Sequence, residues 1–217
     1  MAEIADTQAL AELPPTRKGK ATREKLLAAA AVAFGQHGYN AVRIADIVAG
    51  AGISHGLFYR HFADKDAILL ALLERLNEQL RRTTARTVGE NDSPSLERLQ
   101  TRNIKFFRDY RRDRLLLRVA REATAQPGRG DFHRVWLEMR DRFVARTERW
   151  LERLVESGAV PPLADIPMVA EGLCSLTEQL AYVQVGLAAQ DPDDAFIARL
   201  GKACGLIWYR TISGQPN

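Results

Sequence analysis

The chain has 217 residues, enough for one large domain or a small domain joined to a larger one, and its 46% hydrophobic and 27% charged content excludes a wholly disordered or fibrous protein. A formal charge of +4 and a pI near 9.3 admit a nucleic-acid or anionic-membrane partner without requiring either. Cys174 and Cys204 form neither a CxxC motif nor a disulfide framework, no stretch of about 18 uncharged apolar residues occurs, and the start of the chain lacks a signal-peptide layout, so a cytoplasmic protein with no membrane partner is expected.

Residues 1–15, charged only at Glu3, Asp6 and Glu12, read as a disordered leader, whereas 16–66 carry eight basic residues against four acids. Apolar residues then recur at helical spacing, and no alternating run argues for a strand, so the fold class is all-α. A first helix is expected from Thr22 as N-cap, burying Leu26, Leu27, Ala30 and Phe34 and ending at Gly38. A second has Ile44, Ile47, Val48 and Ala51 as its apolar stripe and stops at Gly52. Ser54 caps a third only two residues later, with Phe58 and Phe62 buried, and so short a join forces a steep crossing. Asp64 caps a fourth, whose seam of Leu69, Leu72, Leu73, Leu76 and Leu80 reaches toward Arg86. After a loop from Gly89 to Pro94, helices are expected at 95–112, 113–124, 131–156, 165–188 and 193–212. Pro94, Pro167 and Pro192 fall in first turns, and Gln126 to Gly130 and Gly158 to Pro162 are breaks.

The segment from Gly38 to Lys65, GYNAVRIADIVAGAGISHGLFYRHFADK, is the most specific. Its Gly-aromatic pair, then Ile47, Ala51, Gly52, Ile53, Ser54, Gly56, Phe58, Tyr59, His61 and Phe62, followed by Lys65 and Asp66, resembles the helix-turn-helix of the TetR family of bacterial regulators. The resemblance implies a DNA-binding domain over 16–66, a helical effector-binding and dimerisation domain over 67–217, and a transcriptional regulator that is commonly a repressor. Each motif side chain also has a physical task. Ile47, Val48, Phe58 and Phe62 make the small core, Gly52 makes the turn, and Ser54 caps the third helix with its amides facing the DNA backbone. Tyr59, His61 and Lys65 donate to phosphates. His55, Leu57 and Arg60 face base edges, with Gly56 permitting close approach; Leu57 suits a thymine methyl, and Arg60 a guanine or a phosphate. The family usually has Ser or Thr where this chain has Val42 and Arg43, so Arg43 replaces a lost hydroxyl by charge or reaches a base. Arg17, Lys18 and Lys20, with Arg23 and Lys25, resemble a basic arm that follows the adjacent backbone or minor groove.

His55 and His61 point to different faces and have no second ligand at metal spacing, so neither metal nor cofactor is expected. Phe132, Trp136, Met139, Phe143 and Trp150 share one face of the helix over 131–156, opposite Phe106, Phe107 and Tyr110. Taken alone this stripe is either filled core or pocket wall; the resemblance implies an inducer cavity. Asn103, Glu178, Gln179 and Tyr182 are its candidate polar groups, and with few lining positions charged the effector is expected to be lipophilic or aromatic. The last two helices are expected to form a homodimer interface, with Gly172, Ser175, Ala181, Gly186, Gly201, Ala203 and Gly205 allowing close approach. A two-fold dimer implies a pseudo-palindromic double-stranded operator with half-sites roughly 34 Å apart. Ligand binding is expected to shift the fourth helix and lower DNA affinity about 5–150-fold. No nucleophile with a base, carboxylate pair or phosphate cradle marks an enzyme; a ligandless DNA-binding architectural protein is the first alternative the residues leave open, and a helical enzyme the lesser one.

Overall fold

The computed structural model describes residues 17–85, 94–124 and 130–214, and all regular structure among them is helical. The elements are α1 (Arg17–Ala41), α2 (Ile44–Ala51), α3 (His55–Tyr59), α4 (Lys65–Ala85), α5 (Leu96–Arg112), α6 (Arg114–Thr124), α7 (Gly130–Glu156), α8 (Ile166–Ala181), a π-helical turn (Tyr182–Gly186) and α9 (Asp194–Ser213). The chain divides into two compact units, one ending at Leu72 and one beginning at Leu73, so the α4 backbone belongs to both. The expected leader 1–15, the loop residues 89–93, the break at 126–129, Arg86 and the Leu80 side chain lie outside the described residues.

In the first unit, α1 begins at Arg17, five residues before the expected cap. Thr22 therefore lies inside the helix, and its Oγ1 donates to the Lys18 carbonyl at 3.0 Å instead of capping. Gly38, at φ 73° and ψ 168°, ends the regular part of α1, and Tyr39 folds back to stack on Phe34 with ring centroids 5.8 Å apart. The hydroxyl missing at the start of α2 is compensated locally. The Arg43 N–H donates to Asp46 Oδ2 at 2.8 Å, while Val42 and Ile47, on either side of the cap, are both buried as a hydrophobic staple requires. Gly52 takes the left-handed conformation (φ 64°, ψ 40°), and the Ile53 N–H reaches back to the Val48 carbonyl at 3.0 Å, closing α2 and turning the chain into α3. Ser54 Oγ accepts the Leu57 N–H at 3.3 Å, and Asp64 Oδ1 accepts the Ala67 N–H at 2.8 Å, so both caps stand where the sequence places them. Leu26, Leu27, Ala30, Phe34, Ile47, Phe58, Ile68 and Leu69 form the buried centre.

In the second unit, Ser95, Asp165 and Asp193 cap α5, α8 and α9 by accepting the N–H groups of Arg98, Met168 and Phe196. Pro94 and Pro192 stand just outside those caps, not in first turns; only Pro167 lies inside one. The helix expected over 165–188 is α-helical only to Ala181, after which the Leu187 N–H bonds to the Tyr182 carbonyl at 2.9 Å in the wider π pattern. Gly186 then lies under the Tyr110 hydroxyl, where an added Cβ would stand 3.2 Å from the oxygen. The core is α5 packed along α9, with α7 across α8, filled by Leu99, Phe107, Trp150, Leu151, Leu173, Ile197 and Trp208. Cys174 and Cys204 are buried free thiols beside Thr147 and Thr177, each sulfur 3.4 Å from the hydroxyl oxygen.

The glycines of α9 correct an expectation. A Cβ on Gly201 would lie 2.5 Å from the Ile104 side chain and one on Gly205 2.6 Å from Gln100 Cα, so both serve the close α5 and α9 crossing within one chain. Ala181 and Gly186 are buried as well, leaving Gly172 and Ala203 as exposed small residues of the set expected at a dimer surface.

Candidate functional site

Two surfaces carry the polar chemistry, one in each unit. On the first, Ser54, His55, Gly56, Tyr59 and Arg60 are exposed, while Leu57 and His61 are half-buried. Tyr59 is 57% exposed with its ring edge-on to Phe58, a position no core requirement explains. Arg43 is exposed at the start of α2. Arg17, Lys18 and Lys20 are exposed too, but they form the first turns of α1 and not a separate arm. No acid accompanies them there, so three cations stand at the positive end of the helix dipole, an arrangement an anion relieves. His61 sits near Arg60 and Arg23, the latter lying over the Phe62 ring at 5.0 Å; burial first, then both guanidiniums, hold its imidazole below the ordinary value of 6.5.

Lys65 departs from its expected role. Its ammonium donates to the Tyr39 and Val42 carbonyls, both at 2.9 Å, and lies 4.2 Å from the Tyr39 ring centroid, while the Tyr39 hydroxyl bonds to Asp66. Lys65 thus ties the chain entering α2 to the start of α4. An ammonium engaged with two carbonyls and a ring face is turned inward, so in this structure two of its three N–H donors serve the fold.

The second unit holds a partly open cavity of about 630 Å³, walled mainly by α5, α6, α7 and α8. Asn103, Phe106, Tyr110, Trp136, Met139, Phe143 and Glu178 line it, and Phe106 and Phe143 stack across it with centroids 5.6 Å apart and planes 12° from parallel. Three expected residues do not line it. Phe107 is fully buried in the core behind, the exposed Gln179 accepts from Arg121 at 2.9 Å, and Tyr182 carries the Arg121 guanidinium 4.0 Å over its ring. Asn103 donates to the Leu99 carbonyl of its own helix at 2.9 Å. Tyr110, desolvated against this wall, has its phenol raised above the usual range; Glu178 is also raised by burial, with Arg140 opposing.

The expectation that few lining positions are charged is overturned. Arg102, Lys105, Arg121, Arg140, Arg142, Arg146 and Arg149 line the cavity, against Asp109, Asp141 and Glu178. Their long stems cover apolar wall while the heads stay polar, so a helical wheel assigns them to solvent. Most have partners. Arg140 pairs with Glu171 and, at 3.5 Å, with Glu178; Lys105 meets Asp109 at 2.6 Å; Arg142 meets Glu138 at 3.5 Å and Asn77 at 2.8 Å.

A helix-turn-helix with an exposed polar and basic face, joined in one chain to a helical unit built round a cavity, defines a DNA-binding regulator with a place for a small molecule. Residues 26–72 match the family model described as bacterial regulatory proteins, tetR family. Over 176 residues the chain is 25% identical to the HTH-type transcriptional regulator EthR of Mycobacterium tuberculosis, spanning 80% of this chain and 79% of that one. Its fold is shared with GusR of Salmonella enterica (TM-score 0.69, 17% identity, 92% of this chain and 99% of that one) and with SmeT in a triclosan complex (TM-score 0.68, 23% identity, 86% and 90%). Over residues 26–72 the chain thus matches the tetR family, and along most of its length it is similar to transcriptional regulators of that family, which bind DNA and small-molecule effectors and dimerise. Among the described residues no helix is long and apolar enough to cross a membrane, and no group of three His, Cys, Asp or Glu is placed to hold a metal.

Proposed function

We propose that this regulator is a repressor that holds a pseudo-palindromic operator as a homodimer and releases it when a small, largely apolar molecule fills the cavity of the 67–217 domain. The cavity carries this reading: about 630 Å³ walled by a stacked phenylalanine pair, Trp136, Met139 and Trp208 lies within the range of sites that bury a drug-sized ligand. The 16–66 domain reads the operator. His55 and Leu57 face base edges across Gly56, Arg43 and Arg60 contact bases or phosphates, and Tyr59, His61, Ser54 and the basic first turns of α1 hold the backbone. Dimerisation runs through α8 and α9. Met168, Val183, Leu187 and Ile207, four large apolar residues left exposed in this region, support that surface. The effector acts by differential affinity for two conformations, with α4 as the covalent connection between the units.

Selection of bound duplex from a random pool at two salt concentrations tests the reading. Recovery of a two-fold symmetric motif with affinity falling steeply in salt is expected. Recovery of an asymmetric motif, or of none, would remove the dimeric operator-binding mechanism.

A further inference from the structure

One cation of the cavity wall stands apart. Arg146 lies on the same face of α7 as Trp136, Met139, Phe143 and Trp150, and its Nε is buried with no hydrogen-bond partner. Its guanidinium lies 5.6 Å from the Phe143 ring centroid. No carboxylate pairs with it among the described residues. The strongest charge acting on it is Arg102, a like charge whose own guanidinium is over the Trp150 ring at 5.1 Å, and Arg149 adds a second. Desolvation and these neighbours lower its pKa to about 10, which still leaves it cationic at neutral pH. Arg118 forms a useful contrast: its Nε also has no hydrogen bond, yet Glu122 stands 3.6 Å away.

A half-buried guanidinium with a fork of donors, no carboxylate and two like charges beside it is destabilising unless an anion arrives. Three other cations of the wall are already neutralised: Arg140 by Glu171 and Glu178, Lys105 by Asp109, Arg142 by Glu138. The remaining positive field is therefore strongest around Arg146, where Arg102 and Arg149 add to it beside the apolar wall formed by Phe106, Phe143 and Trp136. Planar, bidentate donation matches a carboxylate better than a point-charge anion.

We propose that the effector is an apolar carboxylic acid in its ionised form, its aryl or alkyl body lying along Phe106 and Phe143 and its carboxylate held by Arg146. This rests on the cavity being the effector site and narrows the ligand from any lipophile to an amphipathic anion. Arg102 and Arg149 deepen the positive field around the carboxylate, and Phe143 links the two halves of the site because it touches both the body and the guanidinium.

Titration of intrinsic tryptophan fluorescence tests the assignment, since Trp136 and Trp208 line the cavity. The probes are naphthalene-2-carboxylate and dodecanoate, each beside its primary amide as a neutral analogue of nearly equal shape. The acids should bind at least about tenfold more tightly than the amides, the scale of a charge-assisted hydrogen bond in a partly desolvated site. Arg146→Gln should erase that difference while leaving amide binding unchanged, and Arg146→Lys should restore part of it. Far-ultraviolet circular dichroism confirms that both variants are folded. Preference for one acid over the other tells an aryl from an alkyl body. Equal binding of acids and amides, or discrimination that survives in Arg146→Gln, would overturn the carboxylate assignment and leave the cavity reading standing. Failure of all four probes to bind at millimolar concentration would overturn the effector-site reading and the inference with it.

Discussion

The Lys65 ammonium lies 4.2 Å from the centroid of the Tyr39 ring and donates to the Tyr39 carbonyl at 2.9 Å, closing the turn after α1 from the start of α4. A motif lysine that looks poised for DNA thus serves as a brace within the DNA-binding unit. Lys65→Met leaves the Tyr39 and Val42 carbonyls without that donor and should lower stability by about 1–3 kcal/mol. Operator affinity should then fall only as far as the folded fraction falls, with the salt dependence of binding unchanged. Loss of one phosphate contact would instead reduce the slope of log affinity against log salt by about 0.9. Thermal denaturation and binding at three salt concentrations separate the two roles.

His61 gives the first unit a pH dependence of known sign. Its imidazole is held below 6.5 by burial, Arg60 and Arg23, so the unfolded chain binds the proton more readily than the folded one. Its contribution is fully present above 6.5 and is lost as pH falls from 6.5 through the lower folded value. A DNA phosphate beside His61 works in the opposite direction, favouring the imidazolium, so operator binding should take up part of a proton and tighten as pH falls from 7.5 to 6. His61→Gln should abolish both effects, read by denaturant unfolding and by operator affinity across that range. Identical pH profiles for the two proteins would place the phosphate elsewhere.

Much of this architecture was legible because its signals are local. Gly38, Gly52, Ser54 and Asp64 mark ends or starts that the backbone confirms, and their chemistry acts within three or four residues. What escaped the sequence reading is set by partners far along the chain. Gly201 and Gly205 look like small residues for a partner helix until Ile104 and Gln100 are seen against them, about a hundred residues earlier in sequence. Arg140 and Arg146 fall on the aromatic stripe of α7, yet only the fold shows Glu171 and Glu178 reaching one while, among the described residues, no carboxylate reaches the other. Thr22 was misplaced for a different reason: a basic run has poor N-terminal chemistry for a helix, and α1 extends through it regardless.

The division between intrachain packing and dimer surface makes opposite forecasts for neighbouring residues of α9. Gly201→Ala forces a methyl against Ile104 and should destabilise the fold by about 1–3 kcal/mol, the usual scale of overpacking. Ile207, 43% exposed one turn and a half further on, should behave otherwise. Ile207→Glu should keep the helical content and dissociate the dimer, seen as a halved mass in sedimentation equilibrium. A dimeric Ile207→Glu would move the interface off this part of α9.

On the DNA-facing surface the decisive comparison is between residues that change which sequence is bound and residues that change how tightly any sequence is bound. Leu57 is half-buried beside Gly56, and on the proposed reading its methyl groups meet a base edge, since a leucine side chain has no hydrogen bond to give a phosphate. Leu57→Ala should cost about 1–3 kcal/mol of discrimination at one base pair of each half-site and leave the salt slope intact. Lys18 is exposed in the first turns of α1, where three cations oppose the helix dipole, so Lys18→Ala removes an electrostatic penalty in the free protein as well as the proposed phosphate contact. Its variant should be as stable as the parent or slightly more so, should bind all sequences more weakly, and should have a salt slope reduced by about 0.9. Competition binding against a set of single-base operator variants, repeated at two salt concentrations, reads both effects. If Lys18→Ala changed base preference while leaving the slope untouched, the first turns of α1 would be reading a groove, and the phosphate role would pass to Tyr59 and Arg60.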